Sequence, residues 1–234
     1  MDDSFNIEIA GENALIIYFS DEMNDIVFNQ VQLASALITD HLSDKIVDII
    51  ASYGSILVQF DLLVIDHFLL KTALRQCLAK LNTPVNQTSK IITLPVYYAD
   101  ESGPDLEKVA DHAKLSTDEV IKLHQAQIYQ VYAIGFAPGF AYLGEVNAKI
   151  ATPRLPSPRL KVPKGAVAIA DQQTAVYPSV SPGGWNIIGL CPVDMFDPNT
   201  TPHMPVHVGD QVQFKSITKL EFIELGGNLE TVFI

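Results

Sequence analysis

Seven of the chain's fourteen prolines fall between Pro138 and Pro182, and that clustering limits what this part of the chain can become. A proline inside a helix removes a backbone hydrogen bond and clashes with the preceding turn. Long helices are therefore excluded, and from Tyr129 onward the chain must fold from short strands joined by turns. The runs QVYAIGF, GAVAIA, TAVYP, WNIIGL, DQVQFKSI and KLEFIEL meet that requirement. Six short strands with turn signals between them indicate a closed or nearly closed barrel.

The first third reads differently. IEIA and ALIIYF flank the turn-forming GEN and predict a hairpin. Asp21 is placed to cap a helix from about Met23 to Leu42, with Ile26, Val27, Val31, Leu33, Ala34, Leu37 and Ile38 giving a rough apolar face. KIVDIIASY and SILVQFD, separated at Gly54, predict two more strands, and Asp66 caps a second helix, HFLLKTALRQCLAKL. The order ββαββα predicts helices on one face of a mixed sheet. The polar, aperiodic NTPVNQTSK then marks a domain boundary. Beyond it come a strand in KIITLPVYY, a short helix in ESGPDLEKVADHAKL, and a helix whose start at Ser116 and Glu119 reads as a capping box. The fold class is thus α+β: a small N-terminal α/β sandwich over residues 1–84 and a β-barrel domain over residues 90–234.

Composition limits the function classes. A formal charge of -12 argues against nucleic acid and anionic membranes as main partners. Apolar residues make up 48% of the chain and charged ones 18%, an apolar surplus that points to a subunit interface. No run approaches the roughly 20 apolar residues of a membrane span. The start MDDSFNIEIAGENALI is acidic where a signal peptide is basic, so cytoplasm is the expected location. Cys77 and Cys191 lie among apolar neighbours and read as reduced packing residues. His203 and His207 stand four apart, but Pro202 and Pro205 prevent the helix that would align them, so no metal site is expected. Phosphate-binding glycine loops and nucleophile elbows are missing as well.

Between Lys149 and Lys164 this acidic chain carries five cations and no carboxylate. Arg154 and Arg159 flank PRLPSPR, a segment that its prolines stiffen, so the guanidinium forks are held ready to grip a carboxylate or phosphate. The alternative is a surface loop whose cations pair with the chain's own acids. Just before it, Gly135-Phe136-Ala137-Pro138-Gly139-Phe140 bends sharply and presents two rings. Downstream, Gly183 and Gly184 precede the only tryptophan, Trp185, where outward backbone N–H groups suit an anion. His124 follows Val120 by four and precedes Ile128 by four, which puts it on the buried side of its helix. There it is either a satisfied core residue or a general acid/base.

The ordered set PVYYADESGPDL, LHQAQIYQVYAIGFAPGFAYLG, PRLPSPRLKVPKGAVAIADQQTAVYP and SPGGWNIIGLCP closely resembles the allophanate hydrolase subunit 1 family. YGSILVQFD resembles that family's N-terminal domain, so the likeness spans nearly the whole chain. The resemblance implies a small α/β domain followed by a cyclophilin-like β-barrel. It also implies one of three activities. In the leading one the chain is a subunit of an ATP-dependent 5-oxoprolinase, converting 5-oxoproline to glutamate with a subunit-2-type (PxpC-like) partner and a PxpA-like protein, and inactive alone. The others are a KipI-like inhibitor of a sensor histidine kinase and a urea- or amide-directed carboxyltransferase module. By residue type and motif position, Arg154, Arg159 and His124 are the catalytic candidates. Phe136, Pro138, Gly139, Phe140, Lys164, Gln172, Tyr177, Gly183, Gly184 and Trp185 are the substrate- or nucleotide-binding ones. ATP, with Mg, is the implied cofactor, on this chain or shared with the partner. The family often has an arginine and a threonine where this chain has Leu190 and Cys191, and a glycine where it has Asp171.

Overall fold

In the N-terminal unit an antiparallel hairpin opens the chain, β1 (Asn6–Gly11) against β2 (Ala14–Tyr18). This is a computed structural model; it describes residues 5–20, 25–79, 81 and 90–230, and the chain divides into units Met1–Thr88 and Ser89–Ile234. The expected cap Asp21, the helix start at Met23 and the linker over residues 82–89 lie outside the described residues. Helix α1 (Asp25–Leu42) leads to β3 (Ile46–Ala51) and β4 (Ser55–Phe60), and α2 (His67–Leu78) follows. Asp66 caps α2 as its sequence implies, its carboxylate accepting from Leu69 N–H at 2.8 Å. Leu15, Ile17, Ile56, Val58 and Phe60 pack against Val31, Ala34, Ile38, Leu70 and Leu74.

The expectation of a mixed sheet is corrected. The strand order is β1-β2-β4-β3, and every neighbouring pair is antiparallel. The crossover through α1 makes β2 and β3 parallel, but β4 folds back between them and pairs antiparallel with both. The apolar surplus surfaces partly here: Leu63 is 96% exposed, and Leu62, Val64, Phe68 and Leu69 are exposed around it.

The C-terminal unit contains β5 (Ile91–Val96), α3 (Leu106–Ala113), α4 (Thr117–Ala126), β6 (Tyr129–Ile134), β7 (Ala141–Gly144), β8 (Arg159–Val162), β9 (Ala166–Ala170), β10 (Gln173–Val176), β11 (Ser181–Gly183), β12 (Asn186–Leu190), β13 (Gln211–Ser216) and α5 (Lys219–Glu224). Seven strands form one sheet in the order β12-β9-β10-β7-β6-β13-β5, and β8 pairs with β11 in a separate ribbon. Reciprocal bonds between Tyr97, just past β5, and Leu190, at the end of β12, join the two edges at 2.8 and 3.0 Å. The result is a nearly closed barrel. One expected strand is wrong. KLEFIEL forms α5, because Thr218 and Glu221 make a reciprocal capping box that starts a helix.

Alternation along β9 and β10 separates two cores. Val167, Ile169 and Val176 join Val131, Leu143, Val212, Phe214 and residues of α3 and α4 on one face. Ala166, Ala168, Ala170 and Ala175 look the other way, and their small side chains leave room for Phe140, Tyr177, Trp185 and Phe222. Among the described residues, no helix is long and apolar enough to cross a membrane.

Candidate functional site

Ala137-Pro138-Gly139-Phe140 closes as a turn, with Phe140 N–H donating to Ala137 O at 3.0 Å. Proline at its second position and Gly139 at φ +83° at its third are what a type II turn requires. A Cβ on Gly139 would also come within 2.5 Å of Met195 O. Phe136 takes φ +71°, and its ring is 67% exposed, whereas Phe140 turns inward and is buried. The turn thus shows one ring to solvent and sinks the other.

Phe140 is the hub of an aromatic cluster. The rings of Phe136, Tyr142, Tyr177 and Trp185 meet it at steep angles, with centroids 4.9 to 5.7 Å away. Such edge-to-face contacts are favourable beyond simple burial. Gly183 is needed here because a Cβ would lie 2.3 Å from the Tyr177 hydroxyl oxygen. Burial raises that hydroxyl to a pKa of about 12, partly offset by the Trp185 backbone N–H. Tyr177 is therefore a neutral hydroxyl at physiological pH.

Arg154 lies above this cluster, its guanidinium carbon 5.7 Å from the Trp185 ring centroid. It pairs with Asp171, Nε to Oδ2 at 3.8 Å, and both side chains are more than half exposed. A pair this long and wet holds the arginine weakly. Asp171 sits at φ +53°, a conformation glycine reaches most freely. Arg159, by contrast, is committed. Its Nη2 is 2.8 Å from Oδ1 of the buried Asp105, whose Oδ2 accepts from Ile187 N–H at 2.7 Å. Gly183 is its register partner across the β8–β11 ribbon. Lys164 is also paired, Nζ to Asp194 Oδ1 at 2.7 Å. It borders an open depression of about 500 Å³ that Lys161, Cys191 and Phe222 also line. Burial pushes the Cys191 thiol up to about 12, in keeping with a protonated packing residue.

The structure therefore brings Phe136, Pro138, Gly139, Phe140, Arg154, Tyr177, Gly183, Gly184 and Trp185 into one neighbourhood. Arg159 borders the same neighbourhood, since its charge, like that of Arg154, acts on the Tyr177 hydroxyl, but Arg154, Arg159 and Lys164 do not form one grip because each is paired with its own carboxylate. Gln172 is exposed, and its carbonyl accepts from Val146 N–H at 2.8 Å. His124 lies elsewhere. It is fully buried, and its ring stacks on Phe214 at 4.5 Å. Its Nε2 is 3.0 Å from Thr174 Oγ1, and Thr174 donates its own proton to Ala168 O. The hydroxyl oxygen thus accepts, Nε2 carries the hydrogen, and Nδ1 accepts from the Tyr98 hydroxyl at 2.8 Å. Burial lowers the His124 pKa to about 3, so the ring is neutral. On β10, Thr174 faces away from Ala175, which packs with Tyr177 and Trp185, so the sheet separates His124 from the Trp185 cluster. Of its two sequence readings, the geometry supports the satisfied core residue.

Two polar residues went unnoticed in the sequence. Asp105 anchors Arg159, and Asn186, fully buried, donates from Nδ2 to Pro153 O at 2.9 Å and Ile169 O at 3.2 Å. The signal for Asn186 was present: an asparagine inside the otherwise apolar WNIIGL has to be satisfied.

A weakly held, exposed guanidinium over a packed aromatic floor defines a surface suited to a carboxylate or phosphoryl group, carried on a barrel-like α+β unit. The chain belongs to the family of the carboxyltransferase domain, subdomain C and D, which matches residues 5–206. It is 36% identical over 228 residues to the B component of the 5-oxoprolinase of Bacillus subtilis strain 168, covering 93% of this chain and 95% of that one. Among solved structures, TTHA0988 is similar at a TM-score of 0.78 and 31% identity over 87% of this chain, which spans only 40% of that longer chain. PH0987, a conserved uncharacterized protein from Pyrococcus horikoshii, is 40% identical over 93% of this chain and 100% of its own, with a TM-score of 0.56.

Proposed function

We propose that this chain is the B component of a 5-oxoprolinase, opening the lactam of 5-oxoproline to glutamate together with partner subunits. The observation that carries the reading is end-to-end similarity to the corresponding 5-oxoprolinase component of Bacillus subtilis, at 36% identity with 95% of that protein covered. The site chemistry agrees with it. 5-Oxoproline is a small anion, and Arg154 offers a guanidinium whose present partner, Asp171, is loosely held at 3.8 Å. A substrate carboxylate takes the place of Asp171 and gains a charge-assisted contact over the Trp185 face.

Hydrolysis of a lactam adds water to the carbonyl and breaks the C–N bond, leaving an amine and a carboxylate. An amide carbonyl is a poor electrophile, so an ATP-dependent enzyme activates it first. The residues of this chain alone fit one anionic group better than a whole magnesium nucleotide. Arg159 and Lys164 are already paired with Asp105 and Asp194, which leaves Arg154, with its long contact to Asp171, as the most available of the three cations. We therefore assign the nucleotide to the assembled complex, on the partner or shared with it, and derive no step of this chain through it.

A second reading, a KipI-like inhibitor that uses the same ridge as a contact surface, draws on the exposure of Phe136. Coexpression with candidate subunit-2-type and PxpA-like partners separates the two. The enzyme reading expects a stoichiometric complex with 5-oxoproline-dependent ATP hydrolysis. A histidine kinase as the sole stoichiometric partner, with no such hydrolysis, overturns it.

A further inference from the structure

We infer that Asn186 is a positioning residue that fixes Arg154 over Trp185 by holding the carbonyl of Pro153. This deepens the site proposed above and rests on that reading where catalysis is concerned, but its structural half does not.

Residues 153–155 are stitched to residues 184–186 on both sides of Arg154. On one side, Asn186 Nδ2 donates to Pro153 O at 2.9 Å. On the other, Leu155 N–H donates to Gly184 O at 2.7 Å. These two bonds hold the Arg154 backbone beside β12, within reach of Trp185, and its guanidinium carbon lies 5.7 Å from the ring centroid. The amide of Asn186 is used to the full. Its second N–H reaches Ile169 O at 3.2 Å, and its Oδ1 accepts from Lys108 Nζ at 3.0 Å. Two carbonyls on one side and an ammonium on the other fix which end of the amide is which. Asn186 has no exposed surface, so it acts through Arg154 rather than on a ligand.

The prolines stiffen this loop, but stiffness alone does not choose where it lies. Backbone bonds set its two ends, Asp171 N–H to Thr152 O at 2.7 Å and Leu155 N–H to Gly184 O at 2.7 Å, and Asn186 Nδ2 holds the carbonyl of Pro153 between them. Asn186 thereby supplies the one side-chain bond that fixes the residue next to Arg154.

The chain's sole tryptophan provides the test. Emission and acrylamide quenching of Trp185 are measured for the wild-type full-length chain, Arg154→Ala, Asn186→Ala and the double variant. Removing Arg154 uncovers the indole face, so quenching rises and emission shifts to the red. Asn186→Ala gives the same change, and the double variant adds nothing further, because both substitutions remove one arrangement. In the reconstituted complex, kcat/KM for 5-oxoproline falls by about 10- to 100-fold in each single variant and no lower in the double. A merely structural role makes the two effects add. Additive effects, or Asn186→Ala with wild-type quenching, overturn the inference. If Asn186→Ala melts too low to use, Asn186→Asp, which keeps an acceptor for Lys108 and removes both N–H donors, carries the same comparison. Should the wild-type complex show no 5-oxoproline-dependent activity, the functional reading fails while the fluorescence cycle still decides the role of Asn186.

Discussion

At His124 both ring nitrogens are occupied, Nε2–H by Thr174 and Nδ1 by the Tyr98 hydroxyl, so a second ring proton has no acceptor. Its folded pKa of about 3 lies below the ordinary histidine value of 6.5. Between those limits the unfolded chain binds a proton at this residue and the folded chain does not. Stability attributable to His124 is therefore complete above about pH 6.5 and is lost as pH falls toward 3, at up to about 1.4 kcal/mol per pH unit. Urea denaturation at several pH values checks this: the advantage of the wild type over His124→Gln should shrink steadily across that window. A gap independent of pH contradicts the assignment. The buried side of His124 was legible from its spacing with Val120. Its partners were not, since they lie 26 and 50 residues away and only the folded barrel brings them close.

Among the elements, α5 shows how a cap overrides a pattern. KLEFIEL alternates well enough to read as a strand, yet Thr218 Oγ1 accepts from Glu221 N–H at 3.2 Å and the Glu221 carboxylate returns to Thr218 N–H at 2.7 Å. Thr218→Ala removes one half of that exchange and should cost about 1 kcal/mol in a denaturant titration. No measurable loss means the helix is held by the packing of Phe222 alone. The same four-residue signal was legible at Ser116, where an apolar helical run follows it. At Thr218 the run is only six residues long, too short for periodicity to speak. The strands β7, β8 and β11 escaped for a related reason, since three or four residues give no clear alternation.

For the whole molecule, each unit has its own apolar core, and residues 89–234 contain a barrel whose edges are joined through Tyr97 and Leu190. A chain of residues 89–234 should therefore fold alone and keep the near-ultraviolet circular dichroism of its aromatic cluster. A flat near-ultraviolet spectrum contradicts that. The barrel was legible in outline, because prolines and short β-rich runs leave few other solutions. Its closure was not, because β13 pairs in parallel with β5 across more than a hundred residues, a distance no local pattern reports. Of the site, the Phe136–Phe140 turn, Arg154 and Trp185 were readable as types of residue. That Asp105 and Asp194 would claim Arg159 and Lys164 was not. This leaves Arg154 as the cation on which the functional account rests. The decisive measurement is 5-oxoproline-dependent ATP hydrolysis by the purified complex, wild type against Arg154→Ala. Losing a charge-assisted contact to the substrate should lower kcat/KM by roughly 10- to 100-fold. A complex that assembles normally and turns over at the wild-type rate without Arg154 contradicts the account.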